Sequence, residues 1–241
     1  MFTLRDRFDS VEGLSGWNLN DKLTGSAVLA GGAGGLGAGQ GNPVDESHLK
    51  AGNLALIDGF STMLADFGLN VSTADANRSV IDTTRGAEII IGGGGSDLIK
   101  GNLGNDILDG DMWLNTRIRV TNNVSDANTQ ANEWFTVDSM NDIKARMLSG
   151  EINPGQLHIV RELLTSATAA TDVDTAVYNG ARGDYTITGL GTDGRLADAN
   201  GIVTVTYNPG GVPPITLVNE GTDTIRHFER LQFADQTIDI S

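Results

Sequence analysis

Gly92-Gly-Gly-Gly-Ser-Asp97-Leu-Ile-Lys100 runs without a break into Gly101-Asn-Leu-Gly-Asn-Asp106-Ile-Leu-Asp109, and the reading of these two rows of nine decides the fold. Each row opens on glycine, repeats glycine at the fourth place, puts aspartate at the sixth and an aliphatic at the eighth. In the same phase, Thr83-Thr-Arg-Gly86-Ala-Glu88-Ile-Ile90-Ile precedes them and Gly110-Asp111-Met-Trp-Leu-Asn115-Thr-Arg-Ile118 follows. One row alone would read as a glycine-rich turn with aspartate in its usual turn role. A nine-residue phase that keeps glycines and acids in register is the mark of a parallel β repeat.

The spacing has a physical cause. Six residues make a turn in which glycines accept φ values closed to other residues, so that consecutive carbonyls face a common centre. The remaining three form a minimal strand whose middle side chain, Ile90, Ile99 or Leu108, points between two sheets. Successive turns fall on alternate sides, so a turn stacks on the one two rows later. Glu88 is expected over Asp106, and Asp97 over Asn115 or the Asp109-Asp111 pair.

Stacked turns bring carboxylates roughly 5 Å apart, the spacing of neighbouring strands, which is repulsive unless a cation sits between them. Carboxylates and backbone carbonyls are hard oxygen ligands, and a flexible cage of six or more suits calcium better than magnesium. Zinc is disfavoured by the absence of cysteine and of clustered histidine. The expected calcium ligands are the side chains of Glu88, Asp97, Asp106, Asp109 and Asp111 with backbone groups of Gly92, Gly94, Gly101, Leu103 and Gly110. One to three ions are expected.

Composition agrees with this reading. Thirty-one acidic against sixteen basic residues give a net charge of −15, which disfavours nucleic acid and favours cations. Glycine, 32 of 241 residues, is about twice its usual share, with no period of three. A 39% hydrophobic content supports a core. No stretch approaches 18 uninterrupted apolar residues, so no membrane span is expected. Met1 to Asp9 carries Arg5, Asp6, Arg7 and Asp9 and no apolar run, unlike a Sec-type signal peptide.

Outside the repeats, Gly31–Gly41 reads as a flexible glycine-rich loop. It contains G-x-G-x-x-G at Gly32, Gly34 and Gly37, but Asn42-Pro43 interrupts the helix that a nucleotide-binding turn requires. Apolar residues from Leu49 to Phe67 recur at helical steps, with breaks expected at Gly52 or Gly59. Helices are also expected over 138–149, stopped by Gly150, and over 154–165, opened by Pro154. They are read as insertions that cover a sheet. After Thr171 the period becomes two: 175–178, 184–188, 202–207, 215–218 and two short segments within 226–240 are expected strands of an antiparallel cap.

These residues resemble the repeats-in-toxin (RTX), or hemolysin-type, calcium-binding family. Val11-Glu12-Gly13-Leu14-Ser15-Gly16 with Asn20-Asp21-x-Leu23-x-Gly25 resembles the opening of such a roll, which makes Asp21 a further candidate ligand. Asp172-Val173-Asp174-Thr175-Ala176-Val177-Tyr178 resembles its exit row, which adds Asp174. Gly221 to Asp235 is similar to closing strands in tails of large bacterial secreted proteins. With Gly110-Asp111-x-Trp113-Leu114-Asn115 and Ile152-Asn153-Pro154-Gly155-Gln156-Leu157, the pattern is most similar to tails of secreted animal-type heme peroxidases. The resemblance spans most of the chain in pieces, with two rows close to consensus.

What the resemblance implies is a mainly β chain with helical insertions: a short parallel β-roll of RTX turns capped by an antiparallel sheet. The roll would occupy 1–120 with an insertion at 26–82, a second helical insertion 121–170, and the cap 171–241. It further implies calcium-coupled folding, type I secretion to the extracellular space, and an upstream domain of the same polypeptide, such as a peroxidase. A surface-attachment module that binds glycan is the alternative. A catalytic site is not expected here. His48, His158 and His227 are far apart, and neither a G-x-S-x-G elbow nor H-E-x-x-H is present. Glu229-Arg230 reads as a local ion pair, and Trp17, Trp113 and Trp134 as core.

Overall fold

The computed structural model describes residues 13–25, 49–72, 74–78, 80–81, 87–197, 201–210 and 220–241. Among them, fourteen strands form three sheets with few helices. The expected mainly β architecture with helical insertions is observed.

Three-residue strands alternate between two of the sheets. In the first, β1 (Gly13–Ser15), β3 (Ile89–Ile91), β5 (Ile107–Asp109) and β12 (Thr222–Arg226) run parallel; β11 (Val203–Tyr207) and β10 (Tyr185–Thr188) extend it antiparallel. In the second, β2 (Lys22–Thr24), β4 (Leu98–Lys100), β9 (Thr175–Val177) and β13 (Arg230–Gln232) run parallel, with β14 (Thr237–Asp239) antiparallel at the edge. The region 171–241 is therefore antiparallel only in part, because β9, β12 and β13 continue the parallel stacks.

Register follows the eighth position of the rows. Leu14, Ile90, Leu108 and Ile225 align across the first sheet, and Leu23, Ile99, Ala176 and Leu231 across the second. Ile90, Ile99, Leu108, Ala176, Ile225 and Leu231 are all buried in one core, closed by Tyr178, Tyr185, Tyr207, Phe228 and Phe233. Each large aliphatic so buried contributes roughly 1.5–3 kcal/mol.

Alternation sends Ile89, Ile91 and Ile107 to the outer face of the first sheet, where Leu54, Phe60, Met63, Leu64 and Phe67 cover them. The covering segment is a 3₁₀ turn, Ala51–Leu56, and a helix, Phe60–Asp66. They are separated at Gly59, whose φ of +83° suits glycine, so the expected helix is broken where expected.

Residues 112–165 differ from expectation. They are largely a three-stranded antiparallel sheet of β6 (Met112–Thr121), β7 (Glu133–Val137) and β8 (Leu157–Thr165). The helix Met140–Leu148 is present, capped by the Ser139 side chain and ended before Gly150, with Ile143 buried. The helix expected over 154–165 is absent. Asn153, Pro154 and Gln156 cap a single 3₁₀ turn, and from Leu157 the chain pairs with β6 residue for residue. Leu157, Val160, Leu163 and Leu164 fit a helical face, but nine residues of backbone pairing override that weak preference. The row opened by Gly110 likewise leaves the stack, since Met112 onward belongs to β6.

The tryptophans are not core. Trp17 and Trp134 are exposed; Trp17 packs on Trp113 with centroids 6.4 Å apart, and the Arg146 guanidinium lies 4.3 Å from the Trp134 ring. The loop at 31–41, the strand expected at 215–218, the start of the first row (83–86) and His48 lie outside the described residues.

Candidate metal centre

Two ladders of acids follow from the alternation of strands, because each acid lies at or just before the start of a strand. On one side of the stack the order is Asp21, Asp97, Asp174, Glu229. The backbone N–H of Asp21 donates to Asp97 Oδ1 at 2.7 Å, that of Asp97 to Asp174 Oδ1 at 2.7 Å, and that of Asp174 to Glu229 Oε2 at 2.7 Å. On the other side the order is Glu88, Asp106, Asp223. The N–H of Glu88 donates to Asp106 Oδ1 at 2.8 Å and that of Asp106 to Asp223 Oδ1 at 3.1 Å. Asp97, Asp174, Glu229, Asp106 and Asp223 thus each use one oxygen to hold the neighbouring turn.

The second oxygen is the informative one. Asp97 Oδ2, Asp106 Oδ2 and Asp174 Oδ2 are buried and have no hydrogen-bond partner among the described residues, as are Asp111 Oδ1 and Asp172 Oδ1. A buried carboxylate oxygen left in this way carries a large desolvation cost. Burial accordingly pushes the Asp97 carboxyl up to about 6, against the N–H bond from Asp21 and with the charges of Asp21 and Asp172. Burial also raises Asp174, to about 8, with Asp97, Asp111 and Asp172 adding repulsion. Asp106, Asp111, Asp223 and Glu229 are all shifted upward, again mainly by burial.

The opening glycines exist because of these oxygens. A Cβ at Gly92 would collide with Asp97 Oδ2 and lie 2.5 Å from the Gly110 carbonyl oxygen; one at Gly110 would collide with Asp174 Oδ2 and the His227 carbonyl oxygen. The same pairing recurs at Gly16 with Asp21 Oδ2 and the Gly92 carbonyl, and at Gly25 with Glu88 Oε2 and the Gly101 carbonyl. At each step a carboxylate oxygen and a carbonyl oxygen of the adjacent turn approach the same space. Of these carboxylate oxygens, Asp97 Oδ2 and Asp174 Oδ2 are buried without a hydrogen-bond partner among the described residues, and hard oxygens of that kind beside a carbonyl fit a calcium ion's ligand preferences.

The sequence-predicted residues fall into place unevenly. Glu88 stacks over Asp106 as expected. Asp97 does not lie over Asn115 or the Asp109-Asp111 pair: it sits between Asp21 and Asp174, because the chain departs into β6 after Gly110 and returns at Asp174. Asn115 instead bonds Glu162 within the outer sheet. Asp109 is fully buried but already engaged. It accepts from the N–H groups of Asp111 and Met112 at 3.0 and 2.9 Å and contacts His227 Nδ1 at 2.9 Å. The Gly94 N–H donates to the Trp17 carbonyl at 2.6 Å, a bond between turns and not a contact to a cation, and Leu103 is buried. Glu229 and Arg230 do not pair with each other; Arg230 binds Asp239 at 2.8 Å while Glu229 belongs to the ladder.

Three acids were missed as site residues: Asp172, Asp223 and Glu229. A signal for the last two was present. Asp223-x-Ile225 and Glu229-x-Leu231 repeat the acid-x-aliphatic spacing of Asp97-x-Ile99 and Asp106-x-Leu108.

The fold and its two acid ladders define a mainly β protein with a candidate centre for hard cations. Searched against protein-family models, curated proteins and solved structures, the chain matches none of them. No helix among the described residues is long and apolar enough to cross a membrane.

Proposed function

We propose that the chain is a calcium-binding module whose two parallel stacks form a β-roll of the RTX kind, completed by ions between superposed turns. The observation that carries this reading is the division of labour within Asp97, Asp106 and Asp174: one oxygen bonds the adjacent turn and the other is buried without a partner. A cation supplies the missing partner and neutralises the row.

Function then follows from coupled folding. Without calcium, three-residue strands and unneutralised buried acids leave only a marginal surplus over the entropy of ordering a chain of net charge −15. With calcium, binding free energy becomes folding free energy. Extracellular modules of this type bind at about 10⁻⁴–10⁻³ M, which keeps such a chain loose in the cytosol and folded outside. On this reading the chain is an extracellular, non-catalytic part of a larger secreted polypeptide, to which it gives stability.

The experiment is a calcium titration of the wild-type chain beside Asp97→Ala and Asp106→Ala, followed by calorimetry and circular dichroism. Both variants are expected to bind fewer ions and to fold only at higher calcium. Unchanged affinity and stoichiometry in both would refute the assignment.

A further inference from the structure

The outer sheet of β6, β7 and β8 leaves the stack at Asp111 and returns through Asp172 to Asp174, so its two ends meet at one place. The Ser166 N–H donates to the Asp111 carbonyl at 2.8 Å, the Val173 N–H to Ser96 Oγ at 2.9 Å, and the Gly95 N–H to Asp172 Oδ2 at 3.1 Å. Thr168 Oγ1 donates to the same Asp172 oxygen at 2.7 Å. Asp111, Asp172 and Asp174 each offer an oxygen to this junction, all within 4.8 Å of one another. Two ligands facing each other across a calcium ion at about 2.4 Å are separated by about that distance.

Clustered acids alone would not argue for a ligand. Here Asp111 is only 5% exposed and Asp174 only 1%, and Asp111 Oδ1, Asp172 Oδ1 and Asp174 Oδ2 are buried with no partner among the described residues. Asp111 and Asp172 belong to neither ladder, so turn stacking does not account for them.

We propose that Asp111, Asp172 and Asp174 form a divalent-cation clamp that fastens both ends of the β6–β8 insertion to the turn stack. Its ion is a hard cation of the calcium class. The proposal rests on the calcium reading for the identity of the ion and on the junction geometry for its position. The clamp fixes how the insertion sits on the stack, whereas the ladders fix the stack itself.

The test is a calcium titration of the full chain, read by calorimetric stoichiometry and by hydrogen exchange at the base of the insertion. Asp111→Asn with Asp172→Asn is compared with Asp97→Asn with Asp106→Asn. Asparagine keeps an acceptor for the Thr168 and Gly95 donors, and the single Asp172→Asn serves as a milder second variant. The clamp variants are expected to lose one ion and to raise exchange of the Ser166 and Gly95 amides about tenfold or more, while calcium still induces folding. Wild-type stoichiometry and exchange in both the double and the single clamp variant would overturn the clamp. Insensitivity of the ladder variants, with the clamp variants sensitive, would overturn the ladder reading instead.

Discussion

The backbone N–H of Asp97 donates to Oδ1 of Asp174 at 2.7 Å, although 77 residues separate the two in sequence. The bond closes a step between adjacent turns and leaves Asp174 Oδ2 buried and without a partner.

Asp97→Asn separates the two duties of the side chain. The amide oxygen still accepts from the Asp21 N–H, so the metal-free protein is expected to keep its stability or gain some, because a buried charge is removed. The calcium-loaded protein is expected to lose affinity about tenfold or more, equivalent to about 1.4 kcal/mol. Chemical denaturation with chelator and with excess calcium checks the opposite signs.

Gly92→Ala places a methyl against Asp97 Oδ2 and the Gly110 carbonyl. Overpacking of this kind costs about 1–3 kcal/mol. Gly183→Ala is the control, since a Cβ there meets nothing within 4 Å; it is expected to stay within about 0.5 kcal/mol of wild type. Urea unfolding of both variants distinguishes crowding from a general loss of glycine.

Ile99→Ala removes a fully buried eighth-position side chain and is expected to cost roughly 2–5 kcal/mol. Its neighbour Leu98 is 41% exposed, and Leu98→Ala is expected to cost far less. Thermal unfolding of the pair at saturating calcium measures the alternation directly.

The pH dependence of the metal-free protein should be inverted relative to ordinary carboxylates. Asp97 and Asp174 titrate near 6 and near 8 in the folded chain, against about 3.9 in the unfolded one. Between these values the folded state holds more protons, so stability falls as pH rises. The metal-free chain is therefore expected to be most stable at or below about pH 4, to weaken most steeply between about pH 4 and 6, and to go on weakening to about pH 8. Calcium displaces those protons, so its affinity rises over the same range; denaturation midpoints and proton release in two buffers test both signs.

The contiguous rows were the legible part of the molecule. Glu88, Asp97 and Asp106, nine residues apart, carry their phase openly, and the burial of Ile90, Ile99 and Leu108 follows from it. Asp174, Asp223 and Glu229 occupy equivalent steps, but long insertions precede the first two and a short turn the third, so no fixed period connects them. Only the acid-x-aliphatic spacing survives, and it is too short to be distinctive alone. Of the clamp acids, Asp111 was expected as a ligand from its row and Asp174 from the resemblance, but Asp172 was not, and their meeting was illegible for a different reason. Asp111 and Asp172 meet because β6 and β8 pair over nine residues, and the sequence of β8 fits a helix as well as a strand. Non-local pairing decided that ambiguity.

Thermal unfolding and hydrodynamic radius of the wild-type chain, in chelator and in millimolar calcium, test the central claim most directly. The account predicts an expanded, low-melting chain without calcium and a compact one with a markedly higher midpoint once calcium is restored. A metal-stripped protein as compact and as heat-resistant as the loaded one would contradict it.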